Sequence, residues 1–169
     1  LLKCRDEKSQ PHNFKVFRAD NLQTPLRLTD CFTGFVNKNE LNNYYKNAKL
    51  FLFPIQWEEP FGLVLIESMA CGTPVVAFGR GSIPEIVKDG ETGFIVNPSD
   101  DDIRGNWVIK KTGIEGLCEA VEKIYAMPEE QYKTMRKACR EHVEKNFTVE
   151  RMVENYEKTY MSVLEKSTM

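Results

Sequence analysis

The chain has 169 residues, of which 41% are hydrophobic and 28% are charged, and its formal net charge at pH 7 is −2. This length suits one domain with a sizeable core. The slightly acidic balance argues against a general nucleic-acid binder, which carries a surplus of basic residues. No apolar run approaches the roughly 20 residues that span a bilayer, so no transmembrane segment is expected.

The cysteine and histidine content argues against metal and disulfide chemistry. The five cysteines are odd in number and scattered, with no C-x-x-C pair, and the two histidines lie far apart. We therefore expect no metal site, no disulfide framework and a reducing, cytoplasmic setting. Because the chain begins with leucine and shows no start signal, we expect it to be a piece of a longer protein.

The first third of the chain changes character near residue 31. Residues 1–30 are polar and without clear periodicity, and we expect an irregular, partly disordered segment. Residues 31–36 predict a short strand. Asn37 with Glu40 resembles a capping box, which predicts the start of a helix. The continuous apolar run of residues 50–53 is typical of a strand that is buried on both faces.

Strands and helices then alternate. Residues 62–71 predict a helix that is apolar nearly all round and ends at Gly72. Residues 74–78 and 93–96 predict two further buried strands. Between them, residues 82–85 form a second capping box, with a proline in the first turn of a short helix. This alternation predicts βαβ units and a parallel sheet.

The last third predicts a loop followed by three helices. Residues 97–113 show no period and are predicted as a surface loop. Thr112 with Glu115 predicts another capping box, Pro128 suits the first position of the next helix, and Thr148 caps the last one. The last helix carries an apolar stripe at helical spacing, formed by Val149, Met152, Val153, Tyr156, Tyr160 and Val163.

One loop combines the features of a ligand site. Ligands of parallel sheets bind beyond the carboxyl ends of the strands, where residues 54–60 lie. Gly62 at the following helix start lets a diphosphate approach free backbone N–H groups. Glu67 lies about 7.5 Å further along that apolar helix, where a carboxylate needs a partner. A sugar diol would supply one, and Glu59 in the loop could bind hydroxyls similarly.

Each of these features also has a plain structural interpretation. From spacing alone, Glu67 is more often a structural hydrogen-bond acceptor than a ligand contact. Trp57 suits either the lip of a pocket or a packed loop. Residues 79–81, Gly-Arg-Gly, form a weak anion-site pattern that more often marks a turn. The apolar side chains beside the glutamates are expected in the core: Phe61, Leu63 and Leu65.

Residues 53–77, which include WEEPFGLVLIE, resemble the signature of glycosyltransferase family 4 (glycosyl transferases group 1). Residues 81–96, GSIPEIVKDGETGFIV, resemble the same family. Its E-x7-E motif maps onto Glu59 and Glu67. The resemblance is dense over residues 31–97 and looser over the C-terminal helices.

The resemblance implies an α/β fold, the C-terminal half of a GT-B fold, with a Rossmann-like three-layer parallel sheet flanked by helices and with C-terminal helices. Residues 31–147 would form the nucleotide-sugar-binding domain. Residues 148–169 would form a helix that crosses toward an N-terminal acceptor domain of the same parent chain, which this sequence lacks.

The resemblance also implies the roles of individual residues. Glu59 would be the catalytic residue and would contact hydroxyls of the donor sugar. The remaining contacts follow the family: donor sugar and diphosphate at Phe61, Gly62 and Leu63, ribose at Glu67, and base at Phe35 and Val36. No cofactor is implied, and the substrate would be a nucleoside diphosphate sugar, with UDP- or GDP-sugars favoured.

By this resemblance the whole enzyme would transfer a hexose to an acceptor hydroxyl with retention, in the cytoplasm, with a position at a membrane surface left open. The family's Arg/Lys pair for the diphosphate is not matched by the basic residues of the N-terminal segment: Arg5, Lys8, Arg18 and Arg27. We therefore expect the chain alone to be inactive or nearly so. A non-catalytic interaction module, or half of a sugar-nucleotide epimerase or phosphorylase, remains an alternative.

Overall fold

A computed structural model describes residues 36–167 of the chain. This part forms six helices and three strands, which we number in chain order: α1 (Lys38–Asn47), β1 (Phe51–Phe53), α2 (Leu63–Ala70), β2 (Val75–Phe78), α3 (Ile83–Ile86), β3 (Gly93–Val96), α4 (Gly113–Tyr125), α5 (Glu129–Asn146) and α6 (Val149–Ser167). The alternation predicted from residue 37 onward is confirmed. The N-terminal segment 1–30 and nearly all of the predicted strand 31–36 lie outside the described residues.

The three strands form one parallel sheet in the order β1-β2-β3. Phe51 pairs with Val75, and Val75 pairs in turn with Gly93. The central strand β2 and its neighbour β3 are fully buried, as predicted. The prediction for β1 was wrong, because all three of its residues are only half-buried. Among the described residues β1 pairs with β2 alone, so its other edge has no strand to cover it.

Two apolar clusters lie on the two faces of the sheet. Val75 and Ala77 of β2 belong to a cluster with α2, α3 and part of α5, whereas Val76 and Phe78 belong to a cluster with α4 and the start of α5. Successive residues of a strand point to opposite faces, which explains this division. The result is a three-layer arrangement of helices, sheet and helices, as predicted.

Two helix starts follow the capping predictions. The backbone N–H of Glu40 donates to Asn37 Oδ1 at 3.0 Å, and the N–H of Asn37 donates to the Glu40 carboxylate at 3.3 Å. At α6 the N–H of Arg151 donates to Thr148 Oγ1 at 3.2 Å. Pro128 lies one position earlier than predicted and caps α5.

The other two predicted capping boxes are wrong. Neither Ser82 nor Thr112 makes a side-chain capping hydrogen bond to its helix. Ser82 Oγ donates instead to the carbonyl oxygen of Phe61 at 2.9 Å, and Thr112 Oγ1 donates to Asp100 Oδ1 at 2.6 Å. In both cases the hydroxyl donates to an acceptor elsewhere in the fold, which an isolated helix would lack. It therefore does not cap its own helix.

The final helix presents its apolar stripe to the surface. The six stripe residues are between 44% and 68% exposed: Val149, Met152, Val153, Tyr156, Tyr160 and Val163. An apolar stripe of this length usually faces another element. Its packing against an N-terminal domain stays a prediction.

Candidate functional site

The loop between β1 and α2 lies beyond the carboxyl end of a parallel strand, where ligands of such sheets bind. Gly62 directly precedes α2 in the left-handed conformation, with φ +83°. A Cβ at this position would lie 3.0 Å from Leu65 Cδ1 and 3.3 Å from Glu59 Cγ. Glycine is required because the left-handed backbone and this close packing both disfavour a side chain. The predicted glycine-led helix start is therefore present.

Glu59 is held in this loop by two hydrogen bonds. Its carboxylate oxygen Oε2 accepts from Trp57 Nε1 at 3.1 Å, and its backbone carbonyl accepts from the N–H of Ser82 at 2.9 Å. Trp57 is 59% exposed, and its ring meets Phe53 edge-on. Of the two interpretations of Trp57, the structure places it at the surface, where it orients the half-buried Glu59.

Glu67 lies on the exposed face of α2. The helix was predicted to be apolar nearly all round, with Glu67 in need of a buried partner, and this premise was wrong. Glu67 shares a solvent-facing stripe with Leu63 and Ala70, at the three- and four-residue spacing of neighbours on a helix. An exposed carboxylate remains solvated by water and has no desolvation penalty, so Glu67 needs no structural partner. It is accessible to a ligand.

The prediction of core positions beside the glutamates was correct for one residue of three. Leu65 is fully buried, whereas Phe61 is 47% exposed and Leu63 is 65% exposed. Phe61 leaves the core because it precedes the helix, and its ring rests edge-on against Phe147. Phe61 and Leu63 are therefore exposed at the start of α2, on either side of the buried Gly62.

Four charged side chains, which we call the four-charge cluster, close a ring beside this loop: Glu58, Arg80, Asp102 and Arg104. Glu58 Oε1 lies 2.8 Å from Arg104 Nη1 and 3.3 Å from Arg80 Nη1. Asp102 lies 2.9 Å from Arg80 Nη2 and 2.5 Å from Arg104 Nε. Each arginine thus bridges both carboxylates, and the formal charges of the cluster cancel.

The turn after β2 supplies a further donor to the cluster. The backbone N–H of Gly81 donates to Glu58 Oε2 at 2.6 Å. This hydrogen bond, together with those from Arg104, lowers the pKa of the Glu58 carboxyl, and the hydrogen bond from Arg104 lowers the pKa of Asp102. Of the two interpretations of residues 79–81, the turn is therefore correct. The backbone N–H of Gly81 and the guanidinium of Arg80 are already bound by carboxylates of the protein itself.

Sequence reasoning missed Glu58, Asp102 and Arg104 as members of the site. The members of the cluster come from three separate loops, so no local pattern links them in the sequence. The only indication of the cluster was the Gly-Arg-Gly pattern around Arg80. Val36 is half-buried and precedes α1, outside any strand. Phe35, the other residue predicted at the base, lies outside the described residues, so the base subsite stays a prediction.

Residues 36–167 contain no group of three or more His, Cys, Asp or Glu side chains placed to hold a metal ion. Over the same range, no helix combines the length and apolar character that a bilayer crossing requires.

Solved structures place this fold among GT-B glycosyltransferases. Sucrose-phosphate synthase from Thermosynechococcus elongatus matches with a TM-score of 0.63 and 32% identity, over 80% of this chain and 30% of that chain. Alr3699/HepE from Anabaena, solved in complex with UDP and glucose, matches with a TM-score of 0.52 and 24% identity, over 70% and 28% of the two chains. At that identity the second likeness bears on the fold alone. The fold is thus the Rossmann-like, parallel-sheet type found in these enzymes.

The family follows from the sequence match. The profile of Glycosyl transferases group 1 matches residues 13–142, so the chain belongs to that family. N-acetyl-alpha-D-glucosaminyl L-malate synthase of Bacillus anthracis is 35% identical over 107 residues, which are 63% of this chain and 24% of that protein. The chain spans between 14% and 32% of the length of curated relatives that it matches.

Proposed function

We propose that this chain is the donor-binding half of a glycosyltransferase that transfers a hexose from a nucleoside diphosphate sugar to an acceptor hydroxyl, with retention at the anomeric carbon. The observation that carries the proposal is the placement of Glu59. It is fixed beside the left-handed Gly62 at the start of α2, within a family of glycosyltransferases. This joins a hydroxyl-binding carboxylate to a phosphate-binding helix end.

The diphosphate would lie at the first turn of α2. The first backbone N–H groups of a helix have no partner within it, and they carry the positive end of the helix dipole. Gly62 has no side chain to block the approach of a ligand, and the exposed residues Phe61 and Leu63 flank it. Hydrogen bonds from this turn would stabilise the negative charge that develops as the diphosphate departs.

The two glutamates would bind the two sugars of the donor. Glu59 would accept from hydroxyls of the hexose, since Trp57 already directs its other carboxylate oxygen. Glu67, on the exposed face of the same helix, would accept from the ribose diol, and Phe35 with Val36 would contact the base. The donor would then lie along the exposed stripe of α2, from the loop before the helix toward the middle of the helix.

The acceptor would come from elsewhere in the parent protein. Relatives are at least three times longer than this match, and an N-terminal domain packed against the stripe of α6 would supply the acceptor site. Residues 148–169 would form the connection to it. Without that domain the chain would bind donor but transfer little or no sugar.

Calorimetric titration with UDP, GDP and ADP tests the proposal. We expect one of these nucleotides to bind. Replacing Glu67 by alanine should then weaken binding by about 1.5–3 kcal/mol, the usual worth of a hydrogen bond to a charged group, or roughly 10- to 150-fold. Glu122→Ala, an exposed glutamate on α4, is the matched control and should bind like the parent.

The two possible failures have different meanings. A folded parent that binds none of the three nucleotides would refute donor binding and favour an interaction module that keeps only the fold. A parent that binds, with a Glu67→Ala variant of equal affinity, would refute only the ribose role. Glu59→Gln should weaken binding of a nucleotide sugar but not of the nucleotide alone.

A further inference from the structure

We propose that Glu58 is a positioning residue for the donor sugar: its carboxylate clamps the loop that carries Glu59 to the two neighbouring loops. The inference rests on the proposed function, because it assigns Glu59 to the sugar. Glu58 itself would touch no substrate. Its side chain points to the turn after β2 and to Arg104, whereas Glu59 is oriented by Trp57.

Glu58 is the point at which three loops meet. Its Oε2 accepts from the N–H of Gly81 at 2.6 Å, in the turn after β2. Its Oε1 lies 2.8 Å from Arg104 Nη1, in the loop after β3. All three loops follow the carboxyl ends of adjacent parallel strands, which is the edge where ligands of such sheets bind. One carboxylate therefore fixes the spacing of the loops around the candidate site.

The partners of Glu58 are themselves held in place. The N–H of Arg104 donates to Asn97 Oδ1 at 2.8 Å, and Asn97 is 6% exposed at the end of β3. The Arg104 guanidinium also contacts both oxygens of Asp102. A bidentate arginine has a fixed orientation, so it presents its remaining N–H groups to Glu58 along a defined direction. The clamp is therefore anchored to the sheet.

The same turn also holds the loop through its backbone. Ser82 N–H donates to the carbonyl of Glu59 at 2.9 Å, and Ser82 Oγ donates to the carbonyl of Phe61 at 2.9 Å. With the bond from Gly81 to Glu58, the turn contacts three of four successive residues, 58, 59 and 61. Loss of the Glu58 carboxylate would release the bonds from Arg80 and Gly81 but keep both bonds from Ser82, so we expect a displaced Glu59 in a protein that still folds.

Exposed ion pairs contribute little to stability, and the Glu58 side chain is 54% exposed. Displacing Glu59 from the sugar, in contrast, would lose hydrogen bonds to a charged group, which weakens binding by about tenfold to a hundredfold. The predicted signature of a positioning role is therefore a selective loss: weaker binding of the sugar moiety, with nearly unchanged nucleotide binding and melting temperature.

The test compares Glu58→Ala, Glu58→Gln and the control Asp101→Asn. Asp101 is exposed in the loop after β3, outside the four-charge cluster, so its variant removes one negative charge without touching the clamp. Each protein is titrated calorimetrically with UDP and UDP-glucose, and with GDP and GDP-mannose. Amide hydrogen exchange is measured at Gly81 and Ser82.

We expect Glu58→Ala to bind the nucleotide sugar between about tenfold and a hundredfold more weakly, with nucleotide affinity within about twofold of the parent. Exchange at Gly81 should accelerate. Glu58→Gln should fall between parent and Glu58→Ala, because its amide oxygen still accepts from Gly81 but no longer attracts the arginines. Asp101→Asn should match the parent in every measurement.

Three results would overturn the positioning role. Equal affinities of parent and Glu58→Ala for the nucleotide sugar would do so, as would parallel losses for sugar and nucleotide, which indicate general destabilisation. Unchanged exchange at Gly81 would show that no clamp was released. A parent that binds no nucleotide fails at an earlier step: it refutes the proposed function, and with it the role of Glu58.

Discussion

Replacing Gly81 by alanine tests how closely the turn after β2 packs against the loop that carries Glu59. Gly81 has a φ of +56°, and a Cβ there would meet the backbone of Glu59, with its nitrogen only 2.5 Å away and its carbonyl oxygen equally obstructive. Contacts this short cannot be relieved by rotating a side chain. The alanine variant must therefore move one of the two loops.

Gly113 provides a matched control for the conformational part of this effect. Its φ is +57°, and a Cβ at Gly113 would lie 3.4 Å from its nearest neighbour, the carbonyl oxygen of Pro98. Alanine in the left-handed region costs about 1–2 kcal/mol at either position. The steric clash adds about 1–3 kcal/mol for Gly81→Ala alone, as overpacking generally does. The difference between the two variants isolates the clash.

Urea denaturation followed by circular dichroism gives the free energy of unfolding of both variants. We expect Gly81→Ala to be about 1–3 kcal/mol less stable than Gly113→Ala. A domain of ordinary stability tolerates this loss, so both variants should fold. If the two free energies of unfolding agree within about 0.5 kcal/mol, a margin typical of surface changes, the close packing of the turn on Glu59 is refuted.

Three further predictions follow from local chemistry. The lowered pKa values of Glu58 and Asp102 mean that the cluster stabilises the fold above about pH 4, the ordinary range of these groups, and that this stabilisation is lost as the pH falls further. The small melting-temperature difference expected between parent and Glu58→Gln near pH 6 should therefore narrow as the pH falls below about 4; a constant difference would contradict the lowered pKa values. Burial raises the pKa of the Cys139 thiol to about 12, so mass spectrometry after iodoacetamide treatment at pH 8 should find Cys118, which is exposed, alkylated well before Cys139; equal rates would argue against the buried position. Thr148→Ala removes the cap of α6 at a cost of about 1 kcal/mol, which should accelerate amide exchange in the first turn of the helix, and unchanged exchange would show that the cap is dispensable.

Local patterns sufficed where neighbours in sequence decide the structure. The strands at residues 75–78 and 93–96 are short apolar runs bounded by turn residues, and they lie where predicted. The predicted caps at Asn37 and Thr148 are also present, because each side chain accepts from a backbone N–H three residues further along its own helix. In these segments the tertiary fold buries the strands but leaves the local hydrogen-bond partners of the caps as the sequence predicts.

Predictions failed where a distant group competes for the same atom. Ser82 matches the capping pattern, yet its hydroxyl donates to Phe61, which is 21 residues away. The role of Glu58 could not be predicted from its own segment, because its partners in the turn after β2 are 22 and 23 residues away. The sequence predicts an apolar surrounding for Glu67 because residues 62–71 are apolar nearly all round the helix. Only the position of α2 on the sheet shows that the face with Glu67 is exposed.

A charged clamp suits this position better than an apolar one would. A loop that binds a polar ligand must remain open to water, so apolar packing cannot fix it without closing the site. The planar guanidinium group of arginine fixes the direction of its hydrogen bonds while it stays partly solvated. Because the charges of the four-charge cluster cancel, it does not compete with the first turn of α2 for a diphosphate. The acidic partners of Arg80 and Arg104 therefore matter for where an anion binds as well as for how the loops are held.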